Sequence, residues 1–159
     1  MKYLAMVIAI GSALFLSACT GKSGQTTFIH TIHSEYNTTE TMKRFTKALS
    51  AKHYALTHTL DHTPLAAQEK MYLKPTISFE LSQPMIDSKL LDCNPTLSTD
   101  LPVRIGVYRA LSGAVTLVYT DPEYWSLKHN IKDKNCLELV KIMAADLDEA
   151  THAIAKPKK

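Results

Sequence analysis

Glycine and proline are scarce in this chain, at 5 and 7 of 159 residues, which excludes a collagen-like repeat and a Pro/Gly-rich disordered polymer. Charge of one sign is scarce too. Lys and Arg number 18 against 15 Asp and Glu, a formal +3, too small and too scattered a surplus to make a nucleic-acid surface. There is no Gly-rich phosphate loop, no Gly-x-Ser-x-Gly elbow, no Cys-x-x-Cys and no His-Glu-x-x-His helix, so the standard signatures of nucleotide, serine-hydrolase, thiol-redox and zinc-protease chemistry are missing. What is present is apolar: 45% of residues are hydrophobic, the balance of a folded domain, and the length leaves room for one core.

The N-terminus has a layout of its own. Lys2 precedes an apolar run from Tyr3 to Phe15 diluted only by Gly11 and Ser12, and no acidic residue occurs before Glu35. A run of about a dozen apolar residues is shorter than the roughly 20 that a permanent membrane span needs, and it reads as a signal peptide. Leu16, Ser17, Ala18 and Cys19 follow, and this tetrapeptide resembles the lipobox of bacterial lipoproteins, in which the Cys thiol is acylated and becomes the new N-terminus. The expectation is a cleaved signal at 1–18 and a lipidated Cys19, carrying palmitate-like chains in sufficient number for stable attachment. An ordinary secretory signal and an uncleaved anchor are the alternatives. Thr20 after the Cys, instead of Asp, resembles the pattern sorted to the outer membrane facing the periplasm. Loss of Lys2 with the signal lowers the net charge to +2, which favours no polyanionic partner.

Residues 19–26 are polar and rich in Gly and Ser, the composition of a tether. A single domain is expected over 27–155. Alternation from Thr27 to Ser34 predicts a strand, and Asn37 with Glu40 predicts a capped helix whose apolar stripe is Met42, Phe45, Ala48 and Leu49, ending near Lys52. Tyr54, Leu56, His58 and Leu60 alternate as a second strand up to Asp61. Thr63 and Pro64 read as the N-cap and first residue of a short helix reaching about Met71. Ile77, Phe79 and Leu81 mark a third strand, and Pro84 opens a helix closed by Asn94 and Pro95. Val103 to Val107 and Val115 to Tyr119 form a hairpin about Ser112 and Gly113. Asp121 and Pro122 start a helix reaching His129, and Leu137, Val140, Met143, Ala144, Leu147 and Ile154 share a stripe of a long final helix. The order is that of an α+β fold, with helices covering one face of an antiparallel sheet. The segment 156–159 is a basic tail, solvated at the chain's end.

Four segments carry a resemblance to a known family. Leu60, Asp61, His62 and Ala66, then Leu73 to Thr76 with Phe79, then Asp100 to Val103 with Val107, and finally Tyr119 to Pro122 with Tyr124 and His129 together resemble the bacterial domain-of-unknown-function 302 family, from Thr27 to Ile154. The chain departs from that pattern at Glu80 to Pro84, keeping only the Pro of the family's Phe-Gly-Asn-Pro. The resemblance implies a fold similar to the TATA-binding-protein-like class and supplies no activity.

Seven histidines raise a metal hypothesis. His30 and His33 lie three apart on a strand and therefore point to opposite faces, so they cannot share an ion. His30 and His58 both sit among apolar same-face neighbours and would meet only if their strands were adjacent. His62 and His129 lie at element boundaries, where sites gather, and match family positions. They are the candidate catalytic pair, as base and acid or as ligands, with Asp61 beside them. The bland reading is that Asp61 and His62 tie down a corner and that His129 caps carbonyls. Tyr119, Tyr124 and Trp125 are candidates for lining a small binding pocket, with core packing as the alternative. With Cys19 acylated, Cys93 and Cys136 are the thiols left in an oxidising compartment and are expected to pair, the alternative being one exposed reactive Cys near Lys132 and Lys134.

The expectation drawn from these residues is a membrane-anchored envelope protein that binds an envelope protein or a small ligand, uses no metal or cofactor and no nucleic acid, and is not an enzyme. The competing expectation is a histidine-dependent enzyme or a metal or haem binder using His62 and His129. A homodimer through a sheet face or edge is a third. The anchor is tested first: Cys19→Ser in the producing cell is expected to move the protein from the membrane fraction to the soluble fraction and to abolish labelling by a palmitate analogue. Continued membrane fractionation without label would replace acylation with an uncleaved span.

Overall fold

The computed structural model describes residues 28–155; the expected signal peptide, acylated Cys19, tether 19–26 and tail 156–159 lie outside the described residues. Strand β1 (Ile29–Ser34) alternates half-buried and exposed positions. Helix α1 (Thr38–Ser50) begins where Asn37 accepts the Glu40 N–H at 2.8 Å, and it buries Phe45 and Leu49. Strand β2 (Ala55–Asp61) follows, then helix α2 (His62–Gln68), strand β3 (Thr76–Ser82) and helix α3 (Pro84–Cys93). A 3-10 turn (Pro95–Thr99) leads to strands β4 (Val103–Arg109) and β5 (Val115–Thr120), and helices α4 (Pro122–Lys128) and α5 (Lys134–Thr151) complete the fold.

The five strands form one antiparallel sheet in the order β1-β5-β4-β3-β2. Helix α1 lies across strands β2 to β5, and α5 packs beside α1, α3 and α4. Between helices and sheet, Phe45, Leu49, Phe79, Ile105, Leu117, Met143 and Leu147 are all 0% exposed. Lys52 bonds Asp146 and Glu149 at 2.7 Å each and Tyr54 donates to Asp146, which ties the α1–β2 turn to α5. At the hairpin, Ala110 and Ala114 enclose a three-residue loop in which Gly113 takes φ 91°, the left-handed conformation such a loop needs.

Three local expectations change. Helix α2 is capped by Asp61, whose carboxylate accepts the Thr63 N–H at 2.9 Å, instead of by Thr63. The Thr63 hydroxyl accepts the Thr76 N–H at 3.2 Å, fastening α2 to the start of β3. Helix α5 ends at Thr151, and Ile154 reaches the core from the turns that follow, where its carbonyl takes the Glu35 N–H. Strand β2 is exposed throughout and carries a bulge between Leu56 and His58. One extra residue there reverses the alternation. Leu56 is paired with Leu81 of the core face, whereas His58 and Leu60 are paired with Glu80 and Ser78 of the opposite face.

Cys93 and Cys136 form a disulfide with Cα atoms 6.2 Å apart, closing a loop of sequence separation 43. Restricting the unfolded chain over such a loop stabilises the fold by roughly 4 kcal/mol in the chain-entropy account. The core is tested at its centre: Phe79→Ala is expected to cost about 3–5 kcal/mol in chemical denaturation with the disulfide intact. A cost under about 1 kcal/mol would show that Phe79 is not enclosed as described.

Candidate functional site

The face of the sheet turned away from α1 and α5 carries the side chains that alternate with the core. In the register, Ser78 stands opposite Gly106, Glu80 opposite Arg104, and Gly106 opposite Val118. A Cβ at position 106 would meet the Val118 side chain at 3.1 Å, so glycine lets β4 and β5 side chains approach closely here. Two adjoining clefts open on this face. One, of about 420 Å³, is lined by Glu80, residues 98–104, Thr120 and Trp125. The other, of about 340 Å³, is lined by His58, Leu60, His62, Ser78, Glu80 and Arg104 among others. Glu80 and Arg104 belong to both walls, so their ion pair forms the ridge between them.

That pair is one-sided. Arg104 Nη2 and Nε both donate to Glu80 Oε1, at 2.6 and 3.1 Å. Glu80 Oε2 and Arg104 Nη1 form no hydrogen bond among the described residues. The cleft wall adds the indole of Trp125, which is 2% exposed and whose buried N–H has no acceptor among the described residues. A buried donor without an acceptor is uncommon enough to call for an explanation.

Behind this wall, two distant stretches of chain are clamped together. Cys93 is bonded to Cys136, Asn94 Nδ2 donates to the His129 carbonyl at 2.8 Å, and the Thr96 hydroxyl lies 2.7 Å from His129 Nδ1. His129 Nε2 donates to Asp100 at 2.6 Å, and Lys128 donates to both Asp100 oxygens at 2.8 Å. Burial by itself would raise the Asp100 carboxyl, but the hydrogen bonds from Lys128 and His129 outweigh it and hold the group below its ordinary value. It is a carboxylate, so the imidazole must supply the proton of that bond.

The structure separates the expected catalytic pair. His129 is buried with both ring nitrogens engaged inside the fold, and it lines neither cleft. His62 lines the smaller cleft and bonds the Ser78 hydroxyl at 2.9 Å. Asp61 faces Thr63 as a helix cap. The aromatic trio is also divided. Tyr119 stacks on His30 on the core side and is 3% exposed, and Tyr124 stacks on Phe28 with ring centres 3.9 Å apart. Trp125 alone of the three stands in a cleft wall. Burial pushes the Tyr119 hydroxyl up, with Asp148 and Asp121 adding to it, and that hydroxyl has no partner among the described residues. His30 and His58 cannot meet, because β1 and β2 are the two edges of the sheet. His30 lies instead 3.3 Å from Asp121. Among the described residues, no three His, Cys, Asp or Glu side chains are placed to hold a metal ion.

Glu80, Arg104, Ser78, Ser98 and Thr120 escaped the sequence reading. For Ser78, Glu80, Arg104 and Thr120 the signal is polarity at every second strand position, opposite the apolar ones, whereas Ser98 lies in the 3-10 turn. That pattern marks an outward face but does not say which outward residues become neighbours.

Asp100 holds the clamp's charges together, and its pH dependence has a definite sign. A carboxyl lowered in the folded state stabilises above its unfolded value, and that contribution is lost as pH falls through the folded one. Asp100→Asn is expected to cost about 1–3 kcal/mol at pH 7 by taking the negative charge and one of the two acceptor oxygens away from Lys128 and His129. The gap from the parent chain, followed by urea unfolding, is expected to narrow as pH drops below the ordinary carboxylate range; a gap independent of pH would remove the charge from the account.

Comparison with known proteins follows the same division between fold and chemistry. No curated protein matches the chain. Among solved structures it is similar to an uncharacterised conserved DUF302 protein from Bacillus stearothermophilus, with a TM-score of 0.72 and 17% sequence identity over 80% of this chain and 98% of the other. At that identity the likeness concerns the fold. The family model described as domain of unknown function DUF302 matches residues 30–154, nearly the whole described domain, and the chain belongs to the DUF302 family.

Proposed function

We propose that this chain is a membrane-anchored lipoprotein of the cell envelope, tethered through acylated Cys19 to the outer membrane and facing the periplasm, whose domain binds a small polar ligand in the two-lobed cleft on the open sheet face. The anchor rests on the lipobox-like Leu16 to Cys19 and the apolar run ahead of it. The disulfide between Cys93 and Cys136 fits an oxidising compartment. One observation carries the binding reading: two clefts of about 420 and 340 Å³ meet at a single ion pair whose outer atoms remain unpaired. That volume is in the range of small-molecule sites. The wall is rigid, being held by the disulfide and the Asp100 cluster.

Catalysis by His62 and His129 together has less support, since His129 is committed to Asp100 and Thr96 and the two histidines share no cavity. The hydrogen bond between His62 and Ser78 favours, at most, a role for His62 alone.

The test is an NMR titration of the isotopically labelled full chain in nonionic detergent with a mixture of small amines, carboxylates and phosphates. Amide shifts are expected to cluster at residues 78–80, 98–104 and 120–125, and to vanish in the Glu80→Ala, Arg104→Ala double variant. Shifts confined to other surfaces, or none, would refute a ligand cleft here.

A further inference from the structure

The cleft's charges say which ligand it fits, and this step rests on the binding reading above. Glu80 and Arg104 stand side by side across the β3–β4 pairing. Because both guanidinium bonds go to one carboxylate oxygen, the ridge presents an unused anionic oxygen, Glu80 Oε2, next to an unused guanidinium nitrogen, Arg104 Nη1. The Glu80 side chain is 20% exposed and the Arg104 side chain 75%, so both reach a ligand without the fold opening. Asp100, the other acid of the wall, is already neutralised by Lys128 and His129. The site is therefore neither an anion trap nor a cation trap. A lone anion would meet Glu80, and a lone amine would meet Arg104, each at an unfavourable like charge. A molecule carrying both charges a few ångströms apart satisfies both residues at once. The hydroxyls of Ser98 and Thr120, both cleft residues, form no hydrogen bond among the described residues and supply further polar contacts.

We infer that the cleft binds a small zwitterion, a primary ammonium received by Glu80 and an anionic group received by Arg104. Two sources present that chemistry: a free amino acid, and the ethanolamine phosphate headgroup of a lipid. The placement keeps both in play. Ile29, the first residue of β1, is paired with Thr120, a cleft residue, so the cleft lies at the end of the sheet where the chain comes from Cys19. The tether 19–26 spans at most roughly 28 Å at full extension, which keeps the cleft within reach of the membrane surface that the anchor defines.

Isothermal titration of the full chain in nonionic detergent tests this with L-alanine, phosphoethanolamine, phosphocholine, ethanolamine and inorganic phosphate as separate probes. Alanine, phosphoethanolamine or both are expected to bind, at least tenfold more tightly than ethanolamine or phosphate alone. Phosphocholine, whose quaternary nitrogen donates no hydrogen bond, is expected to fall with the weak group. Glu80→Gln and Arg104→Gln are each expected to weaken the zwitterion at least tenfold with the far-UV circular dichroism unchanged. Alanine without phosphoethanolamine assigns the free amino acid, and the reverse, with flotation on phosphatidylethanolamine but not phosphatidylcholine vesicles, assigns the headgroup. Binding of phosphate or ethanolamine alone as tightly as the zwitterions, or of any zwitterion undiminished in both variants, overturns the inference. If no zwitterion binds while the amine, carboxylate and phosphate mixture still shifts the cleft amides, the zwitterion falls and the binding reading stands; if the amides stay still as well, both fall.

Discussion

The packing of α1 and α5 onto a single face of the five-stranded sheet is the constraint from which the rest of this structure follows. Burying Phe45, Phe79, Leu117, Met143 and Leu147 between the layers commits one side of every central strand to the core. Side chains alternate along a strand, so the same act delivers Ser78, Glu80, Arg104 and Thr120 to the opposite side. Because that face carries a glycine at 106 and short hydroxyl side chains beside one long ion pair, it is concave there instead of flat. The cleft is a by-product of core packing with a particular set of outward residues.

The clamp between residues 93–100 and 128–136 answers a different problem. The segment from Asn94 to Pro102 has little regular structure beyond one 3-10 turn, and a loop of that kind makes a poor wall for a site unless something holds it. The disulfide, the Asn94 amide, the Thr96 hydroxyl and the Asp100 carboxylate hold it at four points to the α4–α5 connection. His129 is the hub of this arrangement. Its proton goes to a carboxylate that Lys128 already steadies, so its role is to fix geometry.

Chain direction relates the cleft to the anchor proposed above. Strand β1 enters the sheet beside the last residues of β5, which places the domain's entry point at the end where the cleft opens. The β4–β5 hairpin with exposed Leu111 lies at the far end.

Much of the fold was legible in the chain. The alternation of Val103 to Val107 and Val115 to Tyr119, the Asn37 cap and the Asp121-Pro122 start each report a local preference, and local preferences survive folding intact. Strand β2 was legible as a strand but not as an edge with a bulge, since one inserted residue reverses which face His58 and Leu60 occupy and pairing alone reveals it. The disulfide could be expected from the count of cysteines once Cys19 was set aside. Glu80 with Arg104, and His129 with Asp100, could not be read, because 24 and 29 residues separate the partners and no short-range pattern encodes which outward positions of different elements become neighbours. By itself the sequence determined the elements and the two-layer class, both of which depend on residues within a few positions of one another; the tertiary structure decided the register, and with it which charges share a cleft.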